Sequence, residues 1–217
     1  MAQKGCTLKD WTKPELEKEL SHIKTAVTIP VAIHIDGQQR ILDLTQMERI
    51  LKEAKLISLG ECGCRSKLHN CSAPLDVCFS LDREAEQSVS KGLGKQVTLE
   101  QALDALRRSH EAGLVHITYT FQEKEKPEVI CSCCSCCCSS LSALVRFGIP
   151  NAVVASKYIA SQNDETCINC GKCVDRCQFK ARQLKNGKLQ FDENRCFGCG
   201  VCTTTCPTNS ITLVPRK

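Results

Sequence analysis

Cys167-Ile-Asn-Cys170-Gly-Lys-Cys173-Val-Asp-Arg-Cys177 returns further along the chain as Cys196-Phe-Gly-Cys199-Gly-Val-Cys202-Thr-Thr-Thr-Cys206-Pro207. Both copies read Cys-x2-Cys-x2-Cys-x3-Cys, and every cysteine of the first has its counterpart 29 residues on. Three thiols at two-residue gaps can wrap one face of an inorganic cube while loop amides point at its sulfurs. Gly171, Gly198 and Gly200 let the backbone come close to sulfide. Paired zinc sites need two Cys-x2-Cys pairs per ion, which triplets at this spacing do not supply.

In such a repeat the fourth thiol of each copy serves the other copy's cube, so the two sites interlock. One site then uses Cys167, Cys170, Cys173 and Cys206; the other uses Cys196, Cys199, Cys202 and Cys177. These residues resemble the bacterial two-cluster ferredoxins, which hold a [4Fe–4S] cube in each site. The resemblance runs from Cys167 to Val214, under a quarter of the chain. It implies a ferredoxin-like domain over residues 156–217 with a ββ/αα pseudo-twofold fold, two [4Fe–4S] clusters and single-electron transfer. Cubes closed by four thiolates have no open coordination position, so no substrate binds the iron. Lys172, between two ligands, is expected to ease reduction. Gln178 stands where the family has proline.

Ten further thiols precede this domain: Cys62, Cys64, Cys71, Cys78, Cys131, Cys133, Cys134, Cys136, Cys137 and Cys138. Their segments, Cys62-Gly-Cys64-Arg65, Pro74-Leu-Asp-Val-Cys78 and Cys131 to Cys138, resemble an N-terminal domain of poorly described ferredoxin-fused proteins. Adjacent cysteines also resemble those of heterodisulfide-reductase-type subunits, with Cys-Cys-Ser here in place of Cys-Cys-Gly. If the chain is extended, Cys136, Cys137 and Cys138 cannot all face one way, so they serve two centres or one larger one. The density of thiols predicts one or two additional iron–sulfur clusters. A structural zinc site on Cys62, Cys64, Cys71 and Cys78 is the alternative. His69 or His116 could replace a thiolate, and Arg65 could bond cluster sulfur.

The rest of residues 1–150 reads as a small cysteine-rich α/β domain, making the whole chain α+β. Thr12-Lys-Pro-Glu opens a short helix. Val27 to Ile35 is β-rich and turns at Asp36-Gly37 into Arg40-Ile-Leu-Asp-Leu, with Pro30 marking an edge or bulge. Thr45-x-x-Glu48 and Thr98-x-x-Gln101 are capping boxes. Met47, Ile50, Leu51 and Ala54 form one buried stripe; Leu99, Ala102, Leu103 and Leu106 form another, closed by Gly113. Val115 to Phe121 alternates as a half-buried strand. A helix leading into a strand also occurs in winged-helix modules. Ser139 to about Thr166 reads as a connection broken at Gly148-Ile-Pro150.

Composition bounds the function. The chain has 217 residues and 19 cysteines, with 24% charged residues. No apolar run reaches the ~18 residues of a membrane span. The first ten residues lack a secretory core, so a cytoplasmic location with reduced thiols and metal, not disulfides, is expected. The net charge of +5 lies wholly beyond residue 155. Thiolate clusters carrying about −2 each would cancel most of it, leaving Lys172, Arg176, Lys180, Arg182, Lys185 and Lys188 as counter-charge and docking surface. Aromatic interleaving is sparse, which argues against nucleic acid. The leading expectation is a multicluster electron carrier for protein redox partners in an anaerobic setting, an oxidoreductase subunit more than a free-standing enzyme. The alternatives are a reductase or reductase subunit with a substrate-accessible N-terminal centre, and a redox-sensing DNA-binding regulator.

Overall fold

The computed structural model describes residues 9–30, 32–36, 39–43, 45–122 and 124–216. It is a mixed helix and sheet structure. Helix α1 (Lys13–Ser21) starts at the Thr12–Glu15 capping box, with Pro14 in its first turn. Strand β1 (Ile23–Thr28) follows, then the antiparallel pair β2 (Ala32–Asp36) and β3 (Gln39–Asp43). The chain therefore breaks at Pro30 where one continuous strand was expected. Next come α2 (Thr45–Glu53), β4 (Ile57–Glu61), α3 (Gly63–Leu68), β5 (Asp76–Leu81), α4 (Asp82–Ser90), β6 (Gly94–Gln96), α5 (Leu99–Glu111), β7 (Val115–Phe121) and β8 (Val129–Cys133). The side chain of Thr45 lies outside the described residues, as does the 37–38 turn.

The six strands of the main sheet run in the order β1-β7-β8-β5-β4-β6, every pair antiparallel. Helices α2 and α5 cover one face. Met47, Leu51, Ala102, Ala105 and Leu106 are buried there against Leu59, Phe79 and Ile130. The Thr98–Gln101 capping box starts α5, and Gly113, at φ 79°, turns the chain out of it. Each fully buried leucine on these helices contributes about 1.5–3 kcal/mol.

Helix α6 (Ser139–Val145) covers the other face. It lies inside the stretch that reads as a connection in the sequence. Its N-cap is Cys138, which makes no side-chain capping bond, and it is rich in serine, so neither start signal nor apolar stripe announces it. Strand β7 is buried on both faces, not one. Val115, Ile117 and Tyr119 meet α6 and the C-terminal region, while His116 stacks on His110 of α5. Strand β7 sits inside the six-stranded sheet, between β1 and β8.

The C-terminal region adds β9 (Tyr158–Gln162), α7 (Lys172–Arg176), β10 (Arg182–Lys185), β11 (Lys188–Phe191), α8 (Val201–Thr205) and β12 (Ile211–Pro215). Strands β9 and β12 pair, and β10 and β11 form a hairpin through Asn186-Gly187, both at positive φ. Val154 bridges to Val27 of β1, and Ser156 N–H donates to the Phe197 carbonyl (3.1 Å). The two regions are thus joined by packed chain.

Candidate metal and iron–sulfur sites

Helices α7 and α8 pack against each other, and each carries a cysteine triplet at its start and a fourth cysteine just past its end. The result is two cavities with crossed linings. Cys167, Cys170, Cys173 and Cys206 line one. Cys177, Cys196, Cys199 and Cys202 line the other. Gly171 and Gly200 cap the two helices in left-handed conformation, φ 73° and 81°. At Gly198 a Cβ would collide with the Tyr158 carbonyl oxygen and the Ser156 hydroxyl.

The walls suit a charged group that brings its own cation. Burial pushes the Cys199 thiol well up and Cys202 to about 12, so neither ionises readily without a metal. Arg182 sits between the cavities, only 3% exposed, over the Phe191 ring and bonded to Gln162 Oε1 (2.8 Å). Its charge eases ionisation of Cys173 on one side and Cys202 on the other. Its Nη2 is buried without an oxygen or nitrogen partner, a donor that cluster sulfur would satisfy. Arg182 is therefore part of the sites' interior and not of the docking surface on which the sequence placed it.

The ten N-terminal thiols fall into two sets. Cys71, Cys134, Cys136 and Cys137 bring their Sγ atoms within 4.8 Å of one another. Cys71 and Cys134 are 3.7 Å apart, Cys136 and Cys137 3.8 Å. Four thiolates at ~2.3 Å from a single tetrahedral ion have about these separations. A cube of four irons holds its thiolates further apart. Thiol hydrogen bonds from Cys136 and Cys137 lower Cys134 to about 6. The other six, Cys62, Cys64, Cys78, Cys131, Cys133 and Cys138, lie outside that group; among them Cys133 and Cys138 each have the Tyr119 hydroxyl 3.9 Å from Sγ.

Two sequence readings are corrected here. Cys62, Cys64, Cys71 and Cys78 do not form one site, because Cys71 turns away after α3 to join the Cys134–Cys137 turn. His116 lies on the α5 side of the sheet, its Nδ1 3.1 Å from Ser132 Oγ and its ring stacked on His110, opposite the face that carries Cys131 and Cys133. Arg65, 1% exposed, lies between the two sets. It donates to the Pro74 carbonyl (2.6 Å), the Ser132 carbonyl (2.9 Å) and Cys134 Sγ (3.8 Å).

Gln178 makes the junction between the regions. Its Oε1 accepts from both the Ser135 N–H and hydroxyl (2.9 Å each), and its Nε2 donates to the Gly113 carbonyl (3.0 Å). One side chain thus ties the residue after Cys177 to the residue between Cys134 and Cys136. Proline could make none of these bonds. His110 Nε2 lies 2.7 Å from Thr204 Oγ1, and the Arg176 guanidinium donates to the Glu111 carbonyl.

Residues 160–213 match the family described as 4Fe-4S dicluster domain. The C-terminal region is a ferredoxin-type iron–sulfur module. The chain is similar to pyruvate synthase subunit PorD of Methanocaldococcus jannaschii, 38% identical over 56 residues, 25% of this chain and 65% of that protein. It is similar to Ferredoxin-3 of Nostoc sp., 28% identical over 80 residues, 28% of this chain and 82% of that one. It is also similar to an archaeal-type glutamate synthase (NADPH) of Dehalococcoides mccartyi, 30% identical over 60 residues, 27% of this chain. The chain spans 12% of the length of the glutamate synthases it matches. Among the described residues no helix is long and apolar enough to cross a membrane.

Proposed function

We propose that the chain is a multicentre electron carrier, in which the ferredoxin module over residues 156–217 passes single electrons between a protein redox partner and a metal centre of the cysteine-rich domain over residues 1–150. The observation that carries this reading is the crossed lining of the two cavities, three thiols from one repeat and the fourth from the other. Cys167, Cys170, Cys173 and Cys206 would hold one [4Fe–4S] cluster, and Cys196, Cys199, Cys202 and Cys177 the second. When bound, the clusters supply reversible one-electron chemistry.

The protein's own groups do the rest. Cys170 is exposed beside Ile168 (62% exposed) and Leu184 (49%), so the first cavity faces a partner. Lys172, Lys185 and Lys188 are exposed nearby in the fold and would attract an acidic partner surface. Phe179, Phe197 and Val201 keep water from the second cavity. Gln178 holds that cavity at fixed spacing from the Cys71–Cys134–Cys136–Cys137 set. The close approach of those four sulfurs favours a single tetrathiolate ion there over the further iron–sulfur cluster expected from thiol density, and to exchange electrons that ion must be iron, since zinc has no redox chemistry. Four thiolates also leave no open position for a substrate, which weighs against the reductase reading.

Anaerobic purification with iron, sulfide and zinc counted per chain tests the proposal. About eight irons and eight sulfides belong to the ferredoxin module. Cys170→Ser should lower that count while Cys6→Ser leaves it unchanged. Equal loss in both variants, or a chain free of iron, overturns the reading.

A further inference from the structure

A single hydrogen bond separates the chain beside the second cavity from the chain beside the Cys71–Cys134–Cys136–Cys137 site. Gln178 follows Cys177 directly, and Ser135 lies between Cys134 and Cys136. Gln178 Oε1 accepts the Ser135 N–H at 2.9 Å, so the path from Cys177 to Cys134 is covalent on both sides of that contact. The Ser135 hydroxyl donates to the same oxygen, also at 2.9 Å. The orientation of the amide is forced, because the Ser135 N–H can only donate and the Gly113 carbonyl, 3.0 Å from Nε2, can only accept.

The four-thiol turn is also held from its other side. Trp11 Nε1 donates to the Cys137 carbonyl (2.8 Å), and Asn70 Nδ2 and Arg146 Nη1 donate to the Cys136 carbonyl (2.8 and 3.0 Å). A structural zinc would be served by this turn and its sulfurs alone, with no link to the ferredoxin module. An electron crosses covalent bonds and short hydrogen bonds more readily than an open gap, so the link suits a metal that changes valence. Charge points the same way. Arg65, 1% exposed, donates to Cys134 Sγ (3.8 Å), and among the described residues no carboxylate pairs with it. A buried, unpaired guanidinium is strongly unfavourable. Four thiolates carry about −1 on iron(III) and about −2 on iron(II), so Arg65 is balanced in either valence and favours the reduced one.

We infer that Cys71, Cys134, Cys136 and Cys137 hold one redox-active iron, and that Gln178 is the positioning residue through which it exchanges electrons with the cluster of Cys177, Cys196, Cys199 and Cys202. Resting on the electron-carrier reading, this route supplies the internal connection that the reading requires. One electron moves: it leaves the reduced cluster and converts iron(III) to iron(II), with no bond broken and no proton transferred. Gln178 binds neither metal. It acts by fixing Ser135, and with it the turn from Cys134 to Cys137.

The test uses the oxygen-free full chain loaded with iron and sulfide. About nine irons to eight sulfides are expected, with a high-spin iron(III) signal before reduction. Cys136→Ser should lose that signal and one iron while keeping its sulfide. A light-driven donor then supplies less than one electron per chain, and fading of the iron(III) absorbance follows internal transfer. Gln178→Leu should keep its iron, its sulfide and every midpoint potential, and slow that transfer severalfold. Gln178→Glu, which keeps an oxygen for Ser135, should recover most of the rate. Zinc in the four-thiol site of the iron-loaded chain overturns the inference, as does an iron(III) signal that survives Cys136→Ser. An unchanged rate in Gln178→Leu, or a slowing that a shifted midpoint accounts for, overturns it too. Absence of the [4Fe–4S] signals would instead overturn the electron-carrier reading itself.

Discussion

The cavity of Cys167, Cys170, Cys173 and Cys206 opens on a surface where Cys170, Ile168 and Lys172 meet solvent. That of Cys177, Cys196, Cys199 and Cys202 is walled by Phe179, Phe197 and Val201, which belong to the core shared with β7 and α6. Cysteine spacing is identical in the two, so the difference comes from what each helix packs against. One repeat meets solvent and the other is folded into its own chain. Duplicated ligands therefore do not imply duplicated roles.

Glycine substitutions should separate the two most strongly. Gly198→Ala drives a methyl into the Tyr158 carbonyl at φ 65° and is expected to cost more than about 3 kcal/mol, with loss of the inward set of irons. Gly171→Ala meets nothing nearer than Leu184 (3.9 Å) and bears only the positive-φ strain of about 1–2 kcal/mol, keeping its iron. Iron per chain after anaerobic purification checks both; equal retention would break the comparison.

Cys177→Ser sharpens it next. Cys177 belongs to the first repeat in sequence, yet its loss should perturb the inward cluster and leave the outward one intact. The reciprocal variant, Cys206→Ser, should do the opposite. Redox titration of the two signals reads this, and a change at the cluster of the residue's own repeat contradicts the crossed lining.

Arg182 probes what the cavities share. Arg182→Gln removes one charged hydrogen-bonding group, about 1.5–3 kcal/mol, or about 60–130 mV for one electron, and should move both midpoints negative. A shift at one cluster alone would assign Arg182 to one cavity. Gln178→Leu should have the smallest effect. Loss of its three bonds costs about 1–2 kcal/mol net, seen as roughly tenfold faster exchange of the Ser135 amide with iron content unchanged.

The cysteine repeat was legible because cluster ligation is local: a triplet and a loop define three corners of each site within seven residues. Capped helices α1 and α5 were legible for the same reason, since Thr12–Glu15 and Thr98–Gln101 act within one turn. What the sequence could not disclose is set by distant chain. The burial of β7 on its polar face, at His116, Thr118 and Thr120, depends on distant chain such as α5, whose His110 stacks on His116. Arg182 reads as one more surface cation until Phe191 and Gln162 enclose it. The ten N-terminal thiols show density but not partition, because Cys71 and Cys138 are assigned by the turns after α3 and β8. Gln178 was visible as a departure from the ferredoxin pattern, and its meaning needed Ser135 and Gly113 beside it.

The most direct test of the account is electron paramagnetic resonance of the oxygen-free full chain after reduction with dithionite. Two magnetically interacting [4Fe–4S] centres, with sulfide matching iron, are the predicted result. A silent spectrum from colourless protein carrying zinc alone would contradict it.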